Sequence, residues 1–380
     1  MAKNKSDFDE VTCILPSDIQ YLILIKVPIV KSLLRFKSVS KSWNVIISDN
    51  EFKRTHRDQS KALGREKLLL LKHSTNEFGF RELETSQLDI IAKGIFLPRK
   101  FRKAIVLCSC DGLVLLKNPM AYKTYVLWNP STRESKTLAC PYFNYKGKVP
   151  NACGIFYDSS VDDYRIILIY KWSYGMYSLK NDCWTKKTSS TSHVVRLLHD
   201  CSLNGGISTG GYVYWIDYDN LEERNSTIIY FDGKSDELKK LPIPVFARES
   251  DFFGLMTIMK GCLSLYGGNH QSLVLEIWIM ERDEWKLLMK ICNLPTICKT
   301  FIKGTQLFCC TRNGDFVFQE WIASQLFIYN PRQQLLTKSQ ISKNRIFRAI
   351  STCLDSLYFP SLKVERSRKR KRKRVCYLPF

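Results

Sequence analysis

The residues that could carry out chemistry in this chain are few and poorly placed for it. Five histidines are spread over 380 residues. His193 and His199 fall in the Ser/Thr-rich stretch 189–200, which reads as a loop. A nucleophilic triad needs a histidine held between a serine or cysteine and a carboxylate, and neither histidine has that setting in the sequence. Fourteen cysteines raise the question of a metal, but Cys108/Cys110 and Cys309/Cys310 are too close together for a CxxC knuckle, and no CxxC occurs. There is no G-x-S-x-G, P-loop or dinucleotide fingerprint. Gly205-Gly206 and Gly210-Gly211 read as turn glycines of a β-rich region, and Asp162/Asp163 as a solvated turn pair. The expectation is a chain with no catalytic residue, no metal and no cofactor, whose chemistry is recognition.

Recognition needs elements that present a surface. The stretch from Leu15 to Phe52 has the spacing of three short helices. Pro16 suits a first helical turn, where no N–H is required. Ile19, Leu22 and Ile23 then share a face. Pro28 ends that helix by disfavouring helical geometry at the residue before it. Leu33, Phe36, Ser40 and Trp43 form the next stripe, and Ser48 with Glu51 has the spacing of a capping box before a third helix through Phe52. So short a segment seldom builds a sufficient core alone. Its apolar residues therefore imply a surface that needs a partner.

The middle of the chain repeats. Trp128, Tyr177, Tyr230, Trp278 and Tyr329 sit in similar apolar strands, separated by 49, 53, 48 and 51 residues. Each is preceded by a polar or glycine turn leading into another strand: Asp111-Gly112, Asp163, Gly210-Gly211, Gly261 and Asn313-Gly314. Outer-strand positions follow at Trp184, Leu238, Trp285 and Leu336. Units of about 50 residues with three or four short strands look like propeller blades. One such sheet cannot cover both its faces, so blades pack face to face around an axis. The runs Leu68-Leu69-Leu70-Leu71 and Leu354 to Phe359 are expected to pair in a shared closing blade. A β-sandwich or twisted open barrel is the competing arrangement. The fold class read here is a small all-α unit of three helices, residues 1–60, followed by an all-β propeller-like repeat domain, residues 61–360, of about six to seven blades.

The formal charge of +22 has two parts. Arg366, Arg368, Lys369, Arg370, Lys371, Arg372, Lys373 and Arg374 supply eight cations in nine residues, and the rest of the chain keeps +14. Such a run repels itself, so residues 361–380 are expected to be a disordered tail that reads as a nuclear localisation signal. The chain is expected in the nucleus, the cytoplasm or both, with its cysteines reduced. It has no 18-residue uncharged apolar run and no signal-peptide pattern at its start, so no membrane partner is expected.

Two segments resemble a known family. Leu15-Pro16-Ser17-Asp18, the block Lys31-Ser32-Leu33-Leu34-Arg35-Phe36-Lys37 and Lys41-Ser42-Trp43 resemble the F-box over residues 13 to 55. Val126-Leu127-Trp128-Asn129-Pro130-Ser131-Thr132-Arg133-Glu134 and Tyr157 to Arg165 look like signatures of plant F-box proteins with a kelch-like F-box-associated interaction domain. The resemblance implies a substrate-recognition subunit of a Skp–cullin–F-box ubiquitin ligase. It implies a Skp-type adaptor as partner, a cullin through that adaptor, and an unknown protein substrate. Carried over by motif, the adaptor contacts are Leu15, Pro16, Ile19, Ile23, Leu24, Pro28, Leu33 and Leu34, with Arg35, Phe36 and Trp43 holding the helices together. The chain departs from the pattern at Leu22, where the family usually has an acidic residue, and at Ile29-Val30, where it usually has one linker residue. Substrate-binding residues are not assigned by the resemblance. The rival reading is a nuclear nucleic-acid-binding or scaffold protein with a vestigial F-box. No RRM, KH, zinc-finger or helix-turn-helix pattern supports nucleic acid as a partner.

Overall fold

The computed structural model describes residues 15–72, 77–83, 90–96, 104–118, 123–142, 150–170, 173–188, 205–217, 227–244, 252–257, 261–269, 274–292, 305–320, 326–338 and 347–360. Four helices come first, not three: α1 (Ser17–Ile25), α2 (Val30–Phe36), α3 (Lys41–Ser48) and α4 (Asn50–Ala62). The expected stripe from Leu33 to Trp43 is cut by a turn after Phe36, and Phe36 and Trp43 meet edge-on across it at 5.3 Å. Arg35, expected to help hold the helices together, is exposed. The α4 cap is Asp49: its carboxylate accepts from the N–H groups of Glu51 at 2.6 Å and Phe52 at 3.1 Å. Ser48 bonds the Asn44 side chain instead. A carboxylate at the N-cap also meets the positive end of the helix, so it outcompetes the neighbouring hydroxyl.

The closing blade begins next, with β1 (Glu66–Lys72), β2 (Glu77–Glu82) and β3 (Ile90–Phe96). The first blade is β4 (Ile105–Cys110), β5 (Leu113–Lys117), β6 (Thr124–Trp128) and β7 (Ser135–Ala139). The second is β8 (Ala152–Asp158), β9 (Asp163–Tyr170), β10 (Ser173–Ser178) and β11 (Cys183–Thr188). The third is β12 (Ile207–Thr209), β13 (Tyr212–Asp217), β14 (Thr227–Asp232) and β15 (Glu237–Leu241). The fourth is β16 (Phe252–Thr257), β17 (Leu263–Asn269), β18 (Val274–Glu281) and β19 (Glu284–Ile291). The fifth is β20 (Thr305–Cys310), β21 (Phe316–Glu320), β22 (Leu326–Asn330) and β23 (Leu335–Lys338). Last comes β24 (Phe347–Leu354), which pairs with β1 and gives the sixth sheet the order β24-β1-β2-β3.

Among the described residues the result is six four-stranded antiparallel sheets. Their leading strands β4, β8, β12, β16, β20 and β24 touch in a closed ring, which places them around the axis. All five repeat anchors lie on the third strand of a blade. Side chains alternate across each strand, so an inner strand feeds two apolar layers at once. Leu69 packs with Val114 and Trp128 of the first blade, whereas Leu68 and Leu70 face Val317 and Ile328 of the fifth. This two-sided burial is why the strands read as continuous apolar runs rather than alternating ones. The short hairpin turns repeat too. Arg133, Asp182, Asp236, Asp283 and Gln334 all have positive φ at the same place in successive blades.

A shared closing blade forms, but Leu68 to Leu71 pair with Thr352, Ser351, Ala349 and Arg348 rather than with the expected run Leu354 to Phe359, of which only Leu354 lies in β24. Glu66 is in register with Leu354 and Lys72 with Phe347. Residues 355–360 leave the sheet and run on as a buried strap, with Leu357 packed against the helices. Two turn expectations are corrected. Gly210 and Gly211 do form a positive-φ turn, but a Cβ on Gly205 would lie 2.0 Å from the Leu107 carbonyl oxygen, and one on Gly206 2.4 Å from Val213. These two are close-approach glycines. Asp163 is buried, accepting from Ser178 Oγ at 2.5 Å and the Lys180 N–H at 2.8 Å, so it is not a solvated turn residue.

Candidate functional site

The helices have two chemically distinct sides. Inward, Leu24, Val30, Leu33, Ile47 and Phe52 are fully buried and pack with Leu357 of the strap. Outward, Leu15 is 42% exposed, Ile19 44%, Leu22 54%, Ile23 49% and Ile29 45%. On α1, Ile19, Leu22 and Ile23 follow the helical spacing of one face, and Gln20, Leu24 and Ile25 are buried on the other. Neighbouring exposed apolar residues on one helix face mark a candidate interaction site.

The residues singled out by motif divide accordingly. Leu15, Pro16, Ile19, Ile23 and Pro28 are exposed, and Leu34 is half-buried. Leu24 and Leu33 are fully buried: the helical period turns them inward, where they pack with Ile47 and Phe52. Both departures from the F-box pattern now have a place. Leu22 and Ile29 add apolar surface beside Ile19 and Ile23, while Val30 is a core residue. His193, His199 and the basic run 366–374 lie outside the described residues. Cys108 and Cys309 are buried, and burial pushes the Cys309 thiol well above its usual range. Among the described residues there is no group of three or more metal-donor side chains, and no helix is long and apolar enough to cross a membrane.

The helices sit at one end of the propeller. Arg54 of α4 pairs with Asp162 in the β8–β9 turn at 2.6 Å, and Lys61 pairs with Asp111 in the β4–β5 turn at 2.8 Å. Strands alternate direction, so the first-to-second and third-to-fourth hairpin turns of every blade share this end. The second-to-third connections and the links between blades leave from the opposite end. A cavity of about 260 Å³ opens beside α4, lined by Lys61, Asp111, Tyr157, Ser208 and Gly210. Arg54, Arg57 and Lys61 were missed as contact residues. Their spacing on α4 reads from sequence as an exposed basic stripe, and only the fold brings acidic turns beneath it.

The strap is held by the Asn-Pro-Ser-Thr turn. Asn129 Oδ1 accepts from the N–H groups of Ser131 at 2.8 Å and Thr132 at 3.1 Å. Its Nδ2 donates to the carbonyls of Ser356 and Tyr358, both at 2.9 Å. Asp355 accepts from Lys67 Nζ and Ser131 Oγ, each at 2.7 Å. The turn is structural, and it fastens residues 355–358 to the first blade.

Comparison with known proteins agrees with this architecture. Residues 13–55 match the F-box domain, and residues 81–364 match the F-box associated beta propeller domain. An F-box/kelch-repeat protein of Arabidopsis thaliana is 26% identical over 371 residues, covering 90% of this chain and 93% of its own. An F-box protein of the same plant is 25% identical over 295 residues, covering 70% of each. Among solved structures, a chain of a nidogen/laminin complex is similar over 77% of this chain and 99% of its own, with a TM-score of 0.45 and 10% identity. Four helices carrying an F-box match, set on a six-bladed ring that matches the associated propeller over most of the sequence, place this chain in the family of F-box proteins with an F-box-associated β-propeller domain.

Proposed function

We propose that this protein is the substrate-recognition subunit of a Skp–cullin–F-box ubiquitin ligase. The observation that carries the reading is the exposed apolar face of α1, Ile19, Leu22 and Ile23, with Leu15 just before it, within an F-box match. That face receives the Skp-type adaptor, with Pro28 and Ile29 extending it and a cullin joined through the adaptor. The propeller holds a target protein at the end away from the helices, where the connections between blades leave and sequence varies most freely. The subunit itself does no chemistry. It raises the effective concentration of its target near a ubiquitin-loaded enzyme. The basic run 366–374 directs the protein to the nucleus.

The test is capture of adaptor and cullin from cell extract. The wild type retains both. Ile19→Asp/Ile23→Asp loses both and melts within about 2 °C of the wild type, because the substituted side chains are exposed. A wild type that captures no adaptor, beside a known receptor that does, rejects the reading. Deleting residues 366–374 from a fluorescent fusion shifts it out of the nucleus, and an unchanged distribution rejects the targeting role.

The charge of +22 supports a second reading, in which the propeller attracts nucleic acid. It predicts retention on DNA or RNA that falls steeply with salt.

A further inference from the structure

The face of α4 that meets the propeller is ionic and aromatic, and its centre is Arg57, only 4% exposed. The guanidinium lies 5.2 Å from the ring centroid of Tyr157, 5.5 Å from Tyr164 and 5.0 Å from Tyr358. Arg57 Nη1 donates to Tyr164 Oη at 3.0 Å, and Nε donates to Asp58 at 2.8 Å. Tyr164 Oη donates onward to Asp111 at 2.8 Å, the same carboxylate that Lys61 holds. On the preceding turn of α4, Arg54 holds Asp162, whose second oxygen accepts from Tyr157 Oη at 2.6 Å. One guanidinium is thus enclosed by rings from β8, β9 and the strap, and flanked by ion pairs to two adjacent blades.

A joint built only for stability would not need this. Burial by itself disfavours the charged guanidinium, and Tyr164, Asp58 and Asp111 more than offset that, holding its pKa above the ordinary value. Well-packed apolar residues often stabilise as much as a buried charge, which in some proteins specifies a single arrangement. An aliphatic joint tolerates sliding and rotation. A planar fork stacked among three rings and bonded at two edges fixes direction as well as distance. Asp111 and Asp162 are themselves fixed, each in a two-strand turn at positive φ, 49° and 51°.

We infer that Arg57 is a positioning residue: it locks the helices to the first and second blades at one angle, and so sets where the far end of the propeller stands relative to the adaptor. The second half of that statement rests on the adaptor-docking reading; the lock itself does not, and can be tested in the free protein.

The experiment is hydrogen–deuterium exchange on the full chain, with adaptor affinity measured separately using recombinant Skp-type adaptor. In Arg57→Ala, residues 50–62 and the turns at 111–112 and 159–162 exchange faster by about tenfold or more, while the third to fifth blades keep wild-type rates. Arg57→Lys recovers little of this protection, because a point charge lacks the planar fork. The adaptor Kd stays within about twofold, because the docking face is on α1 and not on α4. Unchanged exchange in α4 and both turns overturns the proposal. So does a rise spread evenly over all six blades, which is the signature of a general stability contribution. If Arg57→Ala does not fold, Tyr164→Phe serves: it keeps the ring and removes both hydrogen bonds, and a local rise in α4 exchange is expected, with no rise overturning the lock. A wild type that fails to bind adaptor defeats the functional reading and leaves the exchange result standing.

Discussion

Asn129 is fully buried, and a single carboxamide there closes a turn and anchors a strap more than two hundred residues away. Its two acceptor bonds close the local turn, while its two donor bonds cross the molecule. Asn129→Ala strands two buried carbonyls and two N–H groups. Each unsatisfied group costs about 1–3 kcal/mol, and relaxation recovers part of that, so a loss of about 2–4 kcal/mol is expected in chemical denaturation. Asn129→Asp keeps the acceptor but turns a carboxylate oxygen toward two carbonyls, and should be at least as damaging. An Asp variant as stable as wild type would contradict the donor role. His56 makes a second residue-level case. It is fully buried, its Nε2 lies 2.9 Å from the Val27 carbonyl, and its ring stacks on Phe52. The carbonyl can only accept, so Nε2 carries the proton of a neutral ring. Burial, with Arg65 adding to it, lowers the His56 pKa below the usual 6.5. The unfolded chain therefore takes up the proton first. Stability owed to His56 is complete above pH 6.5 and is lost as pH falls through the lower folded value. Denaturation of wild type and His56→Leu from pH 8 to pH 5 should show the gap between them narrowing on acidification. A gap independent of pH rejects the neutral, buried assignment.

At the scale of elements, the blades were legible because each strand packs on both faces and the third strand always carries a large anchor, leaving a near-50-residue rhythm in plain sequence. The turns were legible for a similar reason: Gly210-Gly211 and Gly314 are the residue type that positive φ favours. Other features depended on what the chain meets in three dimensions. The break between α2 and α3 falls in Lys37-Ser38-Val39-Ser40, which has neither proline nor glycine, and the edge-on packing of Phe36 on Trp43 spans it. Gly206 looks like a turn residue, yet its lack of a side chain is demanded by Val213 and Trp215 crossing above it. Leu24 and Leu33 carry the same motif weight as Ile19 and Ile23. Only the burial of one helix face separates core leucines from surface ones. The candidate surface was therefore half visible. Its location was in the motif, and which of its residues are exposed depends on packing.

The propeller is a ring closed by pairing its last strand, β24, with its first, β1, and that makes its stability unlike that of a linear repeat array. Lys67 Nζ reaches Asp355 at 2.7 Å across a separation of 288 residues. The axial strand of the sixth sheet is β24, while the other three strands come from the start of the chain. An open array loses only one end interface when its terminal unit is removed. Removing β24 here uncovers β1 along its length, opens the ring between the fifth and first blades, and takes away the strap on which the helices rest. Closure of so long a loop also belongs late in folding, since its entropy must be met before the contacts form. Two truncations separate ring closure from mere chain length. Ending the chain at residue 360 removes only the segment beyond the strap, and its melting temperature should stay within about 2 °C of the full chain. Ending it at residue 346 removes β24 and the strap. The product should lose its single cooperative transition, expose apolar surface to a hydrophobic dye and recover poorly from denaturant. If the chain ending at 346 melted cooperatively at the wild-type temperature, the ends could not be what closes the ring, and the helices would have to be held by α4 alone.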